Sequence, residues 1–403
     1  MKKSLIALAA LALVGAASAQ TTDGKPGFQI TGNMNAGYAS NSYGGNKAKG
    51  FEQNIMGTSN IFFRGKEDLG GGLSAHFTHG SDWQFMTNAG DQGVMASYAG
   101  AVGQSPASST NNAGAMGTFG NDQKFVGMAG GFGTVNFGSI NNQSLYGGIS
   151  LFNPTVGTSY GGGYGSIICA SLTCAGNTGV RANNTMEYKS PVIEGFQFFY
   201  ENVQKQKNNN TATGATNAAN FTTVLGALSQ AGIQEISLKY SNGPLTAQAT
   251  KWSTDDIGLA TVSAASQVKK HLDTYTAAYD LGNGLRVAAL SQKFFNNSNT
   301  AASVSDRTTT AMNAIYTMGA NTYMLTSGQA KENNTLRATY GGKTSKFTGA
   351  QYKFALSKMT SVEARWERLD DQAGTVLGAA SVPQFTWADR IRVRSGVGIN
   401  VNF

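Results

Sequence analysis

The strongest constraint on the fold is an alternation of apolar and polar residues at every second position. It is clearest in the carboxyl-terminal stretch DRIRVRSGVGINVNF, which runs from Asp389 to Phe403. One alternate series, beginning at Ile391, is almost wholly apolar, and the other, beginning at Arg390, has no large apolar side chain. Because successive side chains of a β-strand point to opposite faces, such a strand separates two different environments.

The same period of two recurs throughout the chain. It is present in FQFFYENV, ISLKY, AQYKFAL and SVEARWERL, at residues 196–203, 236–240, 350–356 and 361–369. No comparable stretch keeps the period of an α-helix, and proline is scarce, with 6 residues against 52 glycines. The pattern therefore predicts an all-β protein.

The connections between these segments are of two kinds, and the two kinds alternate along the chain. Short ones, rich in glycine, are typical of tight hairpins and lie at residues 68–72, 129–133, 242–244 and 280–284. Long ones, rich in Asn, Ser, Thr and Gly, lie at residues 86–118, 142–181, 207–232 and 371–388. About sixteen strands result, and an even number with this loop asymmetry indicates a transmembrane antiparallel β-barrel with short periplasmic turns and long extracellular loops.

A large membrane barrel also explains the two faces of the last strand. A slip by one residue would turn Arg390, Arg392 and Arg394 toward lipid, at a cost of about 2–4 kcal/mol each at the midplane. We therefore expect the arginines to face a wet lumen and the apolar series to face hydrocarbon. Phe403 is then expected in the aromatic girdle at the periplasmic interface.

The amino terminus predicts export. Lys2 and Lys3 precede an apolar run, and Ala17, Ser18 and Ala19 form a small-residue cleavage site, so residues 1–19 have the features of a secretory signal peptide and residues 20–403 form the barrel domain. Without the two lysines, 28 basic residues remain against 22 acidic ones, a net charge of +6. The basic residues are scattered and form no run interleaved with aromatics, so no nucleic-acid partner is expected.

Three stretches resemble the general porins of Gram-negative bacteria, especially the betaproteobacterial type. They are FFRGKEDLGGGLSAHF, KFVGMAGGFGTVNFGS and NNTMEYKSPVIEGFQFFYENV, at residues 62–77, 124–139 and 183–203. The resemblance implies a homotrimeric outer-membrane channel for passive diffusion of small ions and hydrophilic solutes. It also implies contact with outer-membrane lipid and lipopolysaccharide, and recognition of the terminal Phe403 by the barrel-assembly machinery.

The resemblance further implies that the third long loop, residues 142–180, folds into the lumen and narrows it. Porins of this type carry an arginine cluster at the constriction. Arg64 matches one member, whereas Asn60 and Ser139 stand where two others are expected. From Phe125 to Val180 there is no charged residue, so the loop lacks the acids that usually face the basic wall.

Charge selectivity must then come from the barrel wall and the rim, and the positive balance favours a mild anion preference. Arg390, Arg392 and Arg394 form a basic ladder on one interpretation. On the other they keep the inner wall wet and pair with acids of the neighbouring strand. The residues expected to pair with them, and to line the pore with them, are Glu363, Arg365 and Glu367.

Cys169 and Cys174 are the only cysteines, and in an oxidising compartment a disulfide between them is expected. No catalytic or phosphate-binding motif is present, so neither an enzyme nor a cofactor is expected, and two thiols without a nearby histidine are too few for a metal site. Two alternatives to a general diffusion channel stay open. One is a substrate-specific outer-membrane channel, and the other is a surface barrel with an adhesive or structural role.

Overall fold

The computed structural model describes the strands and most short turns of the chain. The residues described are 27–43, 46–53, 59–82, 120, 122–144, 181–203, 232–254, 269–297, 306–335, 341–373 and 391–403. Neither the expected signal peptide nor Cys169 and Cys174 fall within these ranges. In the described part of the chain, no helix is long and apolar enough to cross a membrane.

The described residues form seventeen β-segments in a single antiparallel sheet. Their bounds are β1 Gly27–Tyr43, β2 Asn46–Gln53, β3 Asn60–Gly70, β4 Leu73–Asp82, β5 Lys124–Gly130, β6 Gly133–Asn141, β7 Arg181–Lys189, β8 Phe196–Val203, β9 Ile233–Asn242, β10 Leu245–Thr254, β11 Lys269–Asp280, β12 Leu285–Asn297, β13 Arg307–Met318, β14 Asn321–Glu332, β15 Thr344–Ala355, β16 Thr360–Asp370 and β17 Ile391–Asn402.

These seventeen segments occupy sixteen positions around the barrel, because β2 and β3 share one position. Both pair with the same edge of β1: β2 pairs with its second half, from Ala36, and β3 with its first half, up to Asn33. The predicted closed barrel of sixteen strands is therefore confirmed.

The barrel closes between the first and last strands. β17 pairs antiparallel with β1 from Asn33 to Tyr43. Phe403 extends this pairing, since its carbonyl accepts the N–H of Gly32 at 2.8 Å and its own N–H donates to the Gly32 carbonyl at 3.0 Å. The Phe403 ring also covers Gly32, where an added Cβ would come within 2.4 Å of the ring. The terminal residue is thus part of the seam that closes the barrel.

Burial alternates along the strands as the sequence pattern requires. In β17 the side chains of Val397 and Ile399 are 55% and 54% exposed on the outer face, whereas Arg394 is 3% exposed on the inner face. Exposed large apolar side chains cover the outer face of the other strands as well, for example Met312 on β13 and Leu325 on β14. The outer face is therefore the one suited to lipid.

Two of the predicted hairpin turns, at residues 68–72 and 280–284, both begin with Asp-Leu-Gly and are confirmed as tight turns. Asp68 accepts the N–H of Gly70 at 2.9 Å, and Asp280 accepts the N–H of Gly282 at 2.9 Å. Gly284 has a φ of 80°, and an added Cβ would lie 2.0 Å from the Thr317 carbonyl oxygen. Glycine is required there both by the left-handed backbone and by the close approach.

Candidate functional site

Three glutamates form a continuous row across the inner wall of β7, β8 and β9, here called the acidic row. Glu187 lies opposite Glu201, and Glu201 lies opposite Glu235, in the register of these strands. Their exposures are 1%, 3% and 1%. Because like charges placed directly opposite each other in a sheet are destabilising, the row needs nearby hydrogen-bond donors or cations.

Glu235 obtains its donors from the first residues of the third long connection. The backbone N–H groups of Gln143 and Ser144 donate to its Oε2 and Oε1 atoms at 2.5 and 2.7 Å. The Gln143 carbonyl in turn accepts the side-chain amide of Gln248 on β10 at 3.5 Å. Hydrogen bonds to a carboxylate are about twice as strong as neutral ones. Glu235 therefore fixes the start of this connection against the inner wall.

Glu187 is compensated by side chains rather than by backbone. Its Oε2 atom accepts the amide of Asn136 at 2.7 Å and lies 3.1 Å from the ammonium of Lys189. Asn136 is held in turn by a 2.8 Å contact between its Oδ1 atom and Nε2 of His76. The middle member, Glu201, has a buried Oε1 atom with no hydrogen-bond partner among the described residues. In the acidic row, the carboxylates of the two outer members, Glu187 and Glu235, are thus compensated by hydrogen bonds or a cation.

The inner wall of β15, β16 and β17, here called the mixed wall, has charges of alternating sign. Arg365 forms an ion pair with Glu367 on its own strand, and the ammonium of Lys353 lies 3.7 Å from Glu363. Glu363 also accepts hydrogen bonds from two neutral side chains, each at 2.8 Å. The charges of this wall therefore compensate one another locally.

The structure describes only one of the three predicted arginine side chains. Arg394 is buried on the inner face and lies opposite Glu367 in the register of β16 and β17. For Arg392 only the backbone is described, opposite Leu369, and Arg390 lies outside the described residues. The placement of Arg394 favours pairing with an acid over a free basic ladder at that position, and the role of the arginines in the pore stays a prediction.

Arg64 lies on the inward face of β3 and is only partly buried. Its guanidinium is 4.4 Å from the centre of the Phe62 ring and donates to the hydroxyl of Thr31. Asn60 shares this face by alternation and lies opposite Asn33 on β1. Their assignment to the constriction stays a prediction.

Accessible charge on the inner wall is mainly basic. Five basic residues at inward positions are each partly exposed, in the half of their strand that leads to a short turn. This basic ring comprises Lys66 on β3, Lys189 on β7, Lys239 on β9, Arg286 on β12 and Lys353 on β15. By contrast, the inward glutamates of β7–β9, β14 and β16 are at most 3% exposed. Two aspartates at inward positions beside the short turns, Asp68 and Asp280, are exposed. Water in this part of the lumen therefore meets five cations against two accessible acids, while the glutamates are withdrawn into the wall.

Sequence reasoning did not single out the acidic row or the basic ring. Both consist of polar residues at alternate positions, and the alternation in ISLKY already placed Lys239 on the polar face. The additional signal is the distance of each charged residue from the nearest short turn, because residues at equal distances from the turns lie at similar heights in the barrel wall.

Comparison with known proteins agrees with this architecture. The model of the Gram-negative porin family matches residues 5–374. Outer membrane porin protein 32 of Delftia acidovorans is 32% identical over 210 residues, 51% of each chain. Major outer membrane protein P.IB of Neisseria gonorrhoeae is 35% identical over 149 residues, 35% of this chain and 33% of that protein. The match therefore spans about half the length of the first curated relative and a third of the second.

Solved structures show the same fold over nearly the whole chain. The anion-selective porin from Comamonas acidovorans has a TM-score of 0.65 at 19% identity, covering 94% of this chain and 100% of that one. The trimer form of OmpT from Vibrio cholerae has a TM-score of 0.54 at 10% identity, covering 93% and 99%. Identities this low support the fold alone.

Proposed function

Because the chain belongs to the Gram-negative porin family and is thus a protein of the outer membrane, we propose that it forms a water-filled channel for small hydrophilic solutes and ions, with a mild preference for anions. The observation that carries the preference is the contrast on the inner wall between the five accessible residues of the basic ring and the buried glutamates, with only Asp68 and Asp280 as exposed acids at the same level. The family match and the closed barrel support the channel itself.

The mechanism is diffusion through a polar lumen in which fixed charges bias the ion population. Inward lysines and arginines raise the local concentration of anions, and the effect falls as salt screens them. The buried glutamates contribute little to this bias, because they are hydrogen-bonded to backbone N–H groups and amides or paired with cations of the wall. Attachment of the third connection to Glu235 supports the expected narrowing of the lumen by residues 142–180.

Several finer parts of the proposal rest on the family. The homotrimer is supported by membership in the family and by the trimer form of a structural neighbour. Recognition of Phe403 by the assembly machinery fits its position in the closing seam, and residues 1–19 serve as the export signal. The expected disulfide between Cys169 and Cys174 remains part of the proposal.

The decisive experiment is a planar-bilayer recording of the purified, refolded protein under a salt gradient. We expect conductance steps in groups of three and a reversal potential of the sign for anions, decreasing in size at high salt. A substrate-specific channel would instead saturate and be blocked by one solute. If protein shown to be folded gives no conductance steps, the proposed channel is contradicted and the surface barrel with an adhesive or structural role remains.

A further inference from the structure

A single histidine of the chain faces the lumen. The chain contains three histidines, His76, His79 and His271, and all of them lie among the described residues. His76 is partly exposed on the inward face of β4, where it lies opposite Lys66 on β3. His79 is three residues further along the same strand and therefore points to the outer face, and His271 lies on the outer face of β11 beside the inward Leu272. His76 is thus the one histidine whose charge acts directly on the lumen.

The imidazole of His76 is held in place across the neighbouring strand β5. Its Nε2 atom lies 2.8 Å from the Oδ1 atom of Asn136 on β6. Gly127 of β5 lies between these two residues in the register. A Cβ added at Gly127 would come within 2.8 Å of the His76 Nε2 atom and within 2.1 Å of the Asn136 Oδ1 atom. The absence of a side chain at Gly127 therefore provides the gap through which His76 reaches Asn136.

The hydrogen bonds of Asn136 determine which nitrogen of His76 carries a hydrogen. The side-chain amide of Asn136 donates to the Glu187 carboxylate at 2.7 Å, which directs the Asn136 oxygen toward His76. Because that oxygen can only accept, Nε2 of His76 carries a hydrogen in the neutral form as well as in the cation. The proton is therefore gained and lost at Nδ1, and the contact that positions the ring is kept in both charge states.

The charged groups near His76 are mostly basic. At the adjacent inward positions, β4, β5 and β6 contribute only neutral residues, whereas β3 and, beyond Asn136, β7 contribute charged ones. The charged residues are Lys66, Arg64 and Asp68 on β3 and the ion pair of Glu187 with Lys189 on β7. In the part of the chain that the structure describes, His76 itself forms no ion pair. A proton bound at Nδ1 therefore adds a positive charge beside the basic ring.

We propose that His76 makes the anion preference of the channel depend on pH, by adding one positive charge to the lumen as the pH falls from 8 to 5. Histidine is the side chain whose charge ordinarily changes in this range. The five cations of the basic ring and the two exposed aspartates give a net charge of +3 at this level, and the imidazolium raises it to +4. A larger fixed charge raises the local concentration of small anions. The inference rests on the proposed function, because the charge acts on permeating ions.

The test measures the reversal potential of the refolded protein in a planar bilayer under a fixed potassium chloride gradient, at pH 8 and at pH 5. For the parent chain, the logarithm of the anion-to-cation permeability ratio should rise by about one third, in proportion to the fixed charge. His76→Gln keeps a donor for Asn136 without the charge and should lose this rise. His76→Lys is positive at both pH values and should be as anion-selective at pH 8 as the parent chain is at pH 5.

Two control variants separate His76 from other titrating groups. His79→Gln removes a histidine from the outer face of the same strand and should keep the rise of the parent chain. Protonation of the acidic row would change selectivity in the same direction as protonation of His76, so Glu201→Gln is measured as well. It should also keep the rise, because His76 is unchanged in it.

A rise that persists in His76→Gln would overturn the proposal, and its loss in Glu201→Gln would assign the pH dependence to the acidic row instead. A parent chain that conducts with the same selectivity at both pH values would also overturn the role of His76, while leaving the proposed channel standing. A folded chain that never conducts would instead contradict the channel, and the role of His76 with it.

The charge change itself is measured without conduction. Nitrogen NMR of the imidazole in detergent micelles, assigned with His76→Gln, should show Nδ1 of His76 gaining a proton between pH 8 and pH 5 while Nε2 stays protonated throughout. A His76 ring whose charge stays constant over this range would overturn the proposal whatever the conductance.

Discussion

The acidic row on β7–β9 and the mixed wall on β15–β17 solve the same physical problem differently. Both place buried carboxylates on the inner face, where an uncompensated charge is costly. In the mixed wall the compensation is local, since Arg365 contacts Glu367 and Lys353 contacts Glu363. In the acidic row, Glu235 instead accepts two backbone N–H groups from a segment distant in sequence. Self-compensated charges line a wall, whereas charges that need outside donors hold another segment in place.

The largest expected effect tests self-compensation in the mixed wall. Arg365→Gln removes the ion-pair partner of Glu367 on its own strand and leaves Arg394, opposite Glu367, as its nearest cation. Removing one member of a buried pair costs about 3–5 kcal/mol, and the remaining arginine places the expected loss at the lower end, about 3 kcal/mol. We expect the free energy of unfolding to fall by this amount in urea titrations of the refolded protein in vesicles. The double variant Arg365→Gln/Glu367→Gln removes both charges but leaves Arg394 opposite a neutral side chain, so it should recover only part of the loss. A double variant as unstable as the single one would contradict local compensation.

The second effect tests the anchoring role of the acidic row. Glu235→Ala leaves the N–H groups of Gln143 and Ser144 without their acceptor, and a buried unsatisfied donor costs about 1–3 kcal/mol. Relief of repulsion with Glu201 offsets part of this cost, so a net destabilisation of about 2 kcal/mol is expected. Release of the anchored segment should also increase current fluctuations of the open channel.

The open-channel recording separates anchoring from stability alone. Arg365 lies in the mixed wall and contacts neither Gln143 nor Ser144. Arg365→Gln should therefore lower the free energy of unfolding without increasing the current fluctuations of the open channel. If the open-channel current of Glu235→Ala fluctuates no more than that of the parent chain while that of Arg365→Gln fluctuates more, the anchor has been assigned to the wrong wall.

The contrast between these walls also shows what sequence can and cannot predict. Alternation alone predicted the barrel and the inward face of Glu363, Arg365 and Glu367, because the period of two is local to each strand. It gave no account of the acidic row, because Glu187, Glu201 and Glu235 come together only through the register between strands. The split of one barrel position into β2 and β3 was also missed, since it depends on the partner strand β1.

A smaller effect of opposite sign is expected at the middle of the acidic row. Glu201 lies between two other glutamates, and its Oε1 atom has no hydrogen-bond partner among the described residues. Glu201→Gln removes the charge and keeps the shape, so it should stabilise the barrel by about 1 kcal/mol. The matched change in the mixed wall is Glu363→Gln, which weakens contacts to Lys353 and should destabilise. If urea titrations gave a change in the free energy of unfolding of the same sign for both variants, the two walls would not differ in how their glutamates are compensated.

The smallest effect compares the basic-ring residue of each wall. Lys189 lies 3.1 Å from Glu187 in the acidic row, and Lys353 lies 3.7 Å from Glu363 in the mixed wall. Both ammonium groups are about one-third exposed, so screening by water limits each pair to about 0.5 kcal/mol. Lys189→Gln and Lys353→Gln should therefore unfold almost like the parent chain, and their consequence should appear in selectivity.

Reversal potentials under a salt gradient measure that consequence. Each variant removes one accessible cation from the lumen and should shift the potential toward cation preference, more strongly at low salt because screening is weaker there. If the buried acids contribute no field of their own, the two shifts are equal. A clearly larger shift for Lys189→Gln would mean that the three glutamates of the acidic row act on permeating ions once their nearest cation is gone, and that this wall both anchors a segment and tunes selectivity.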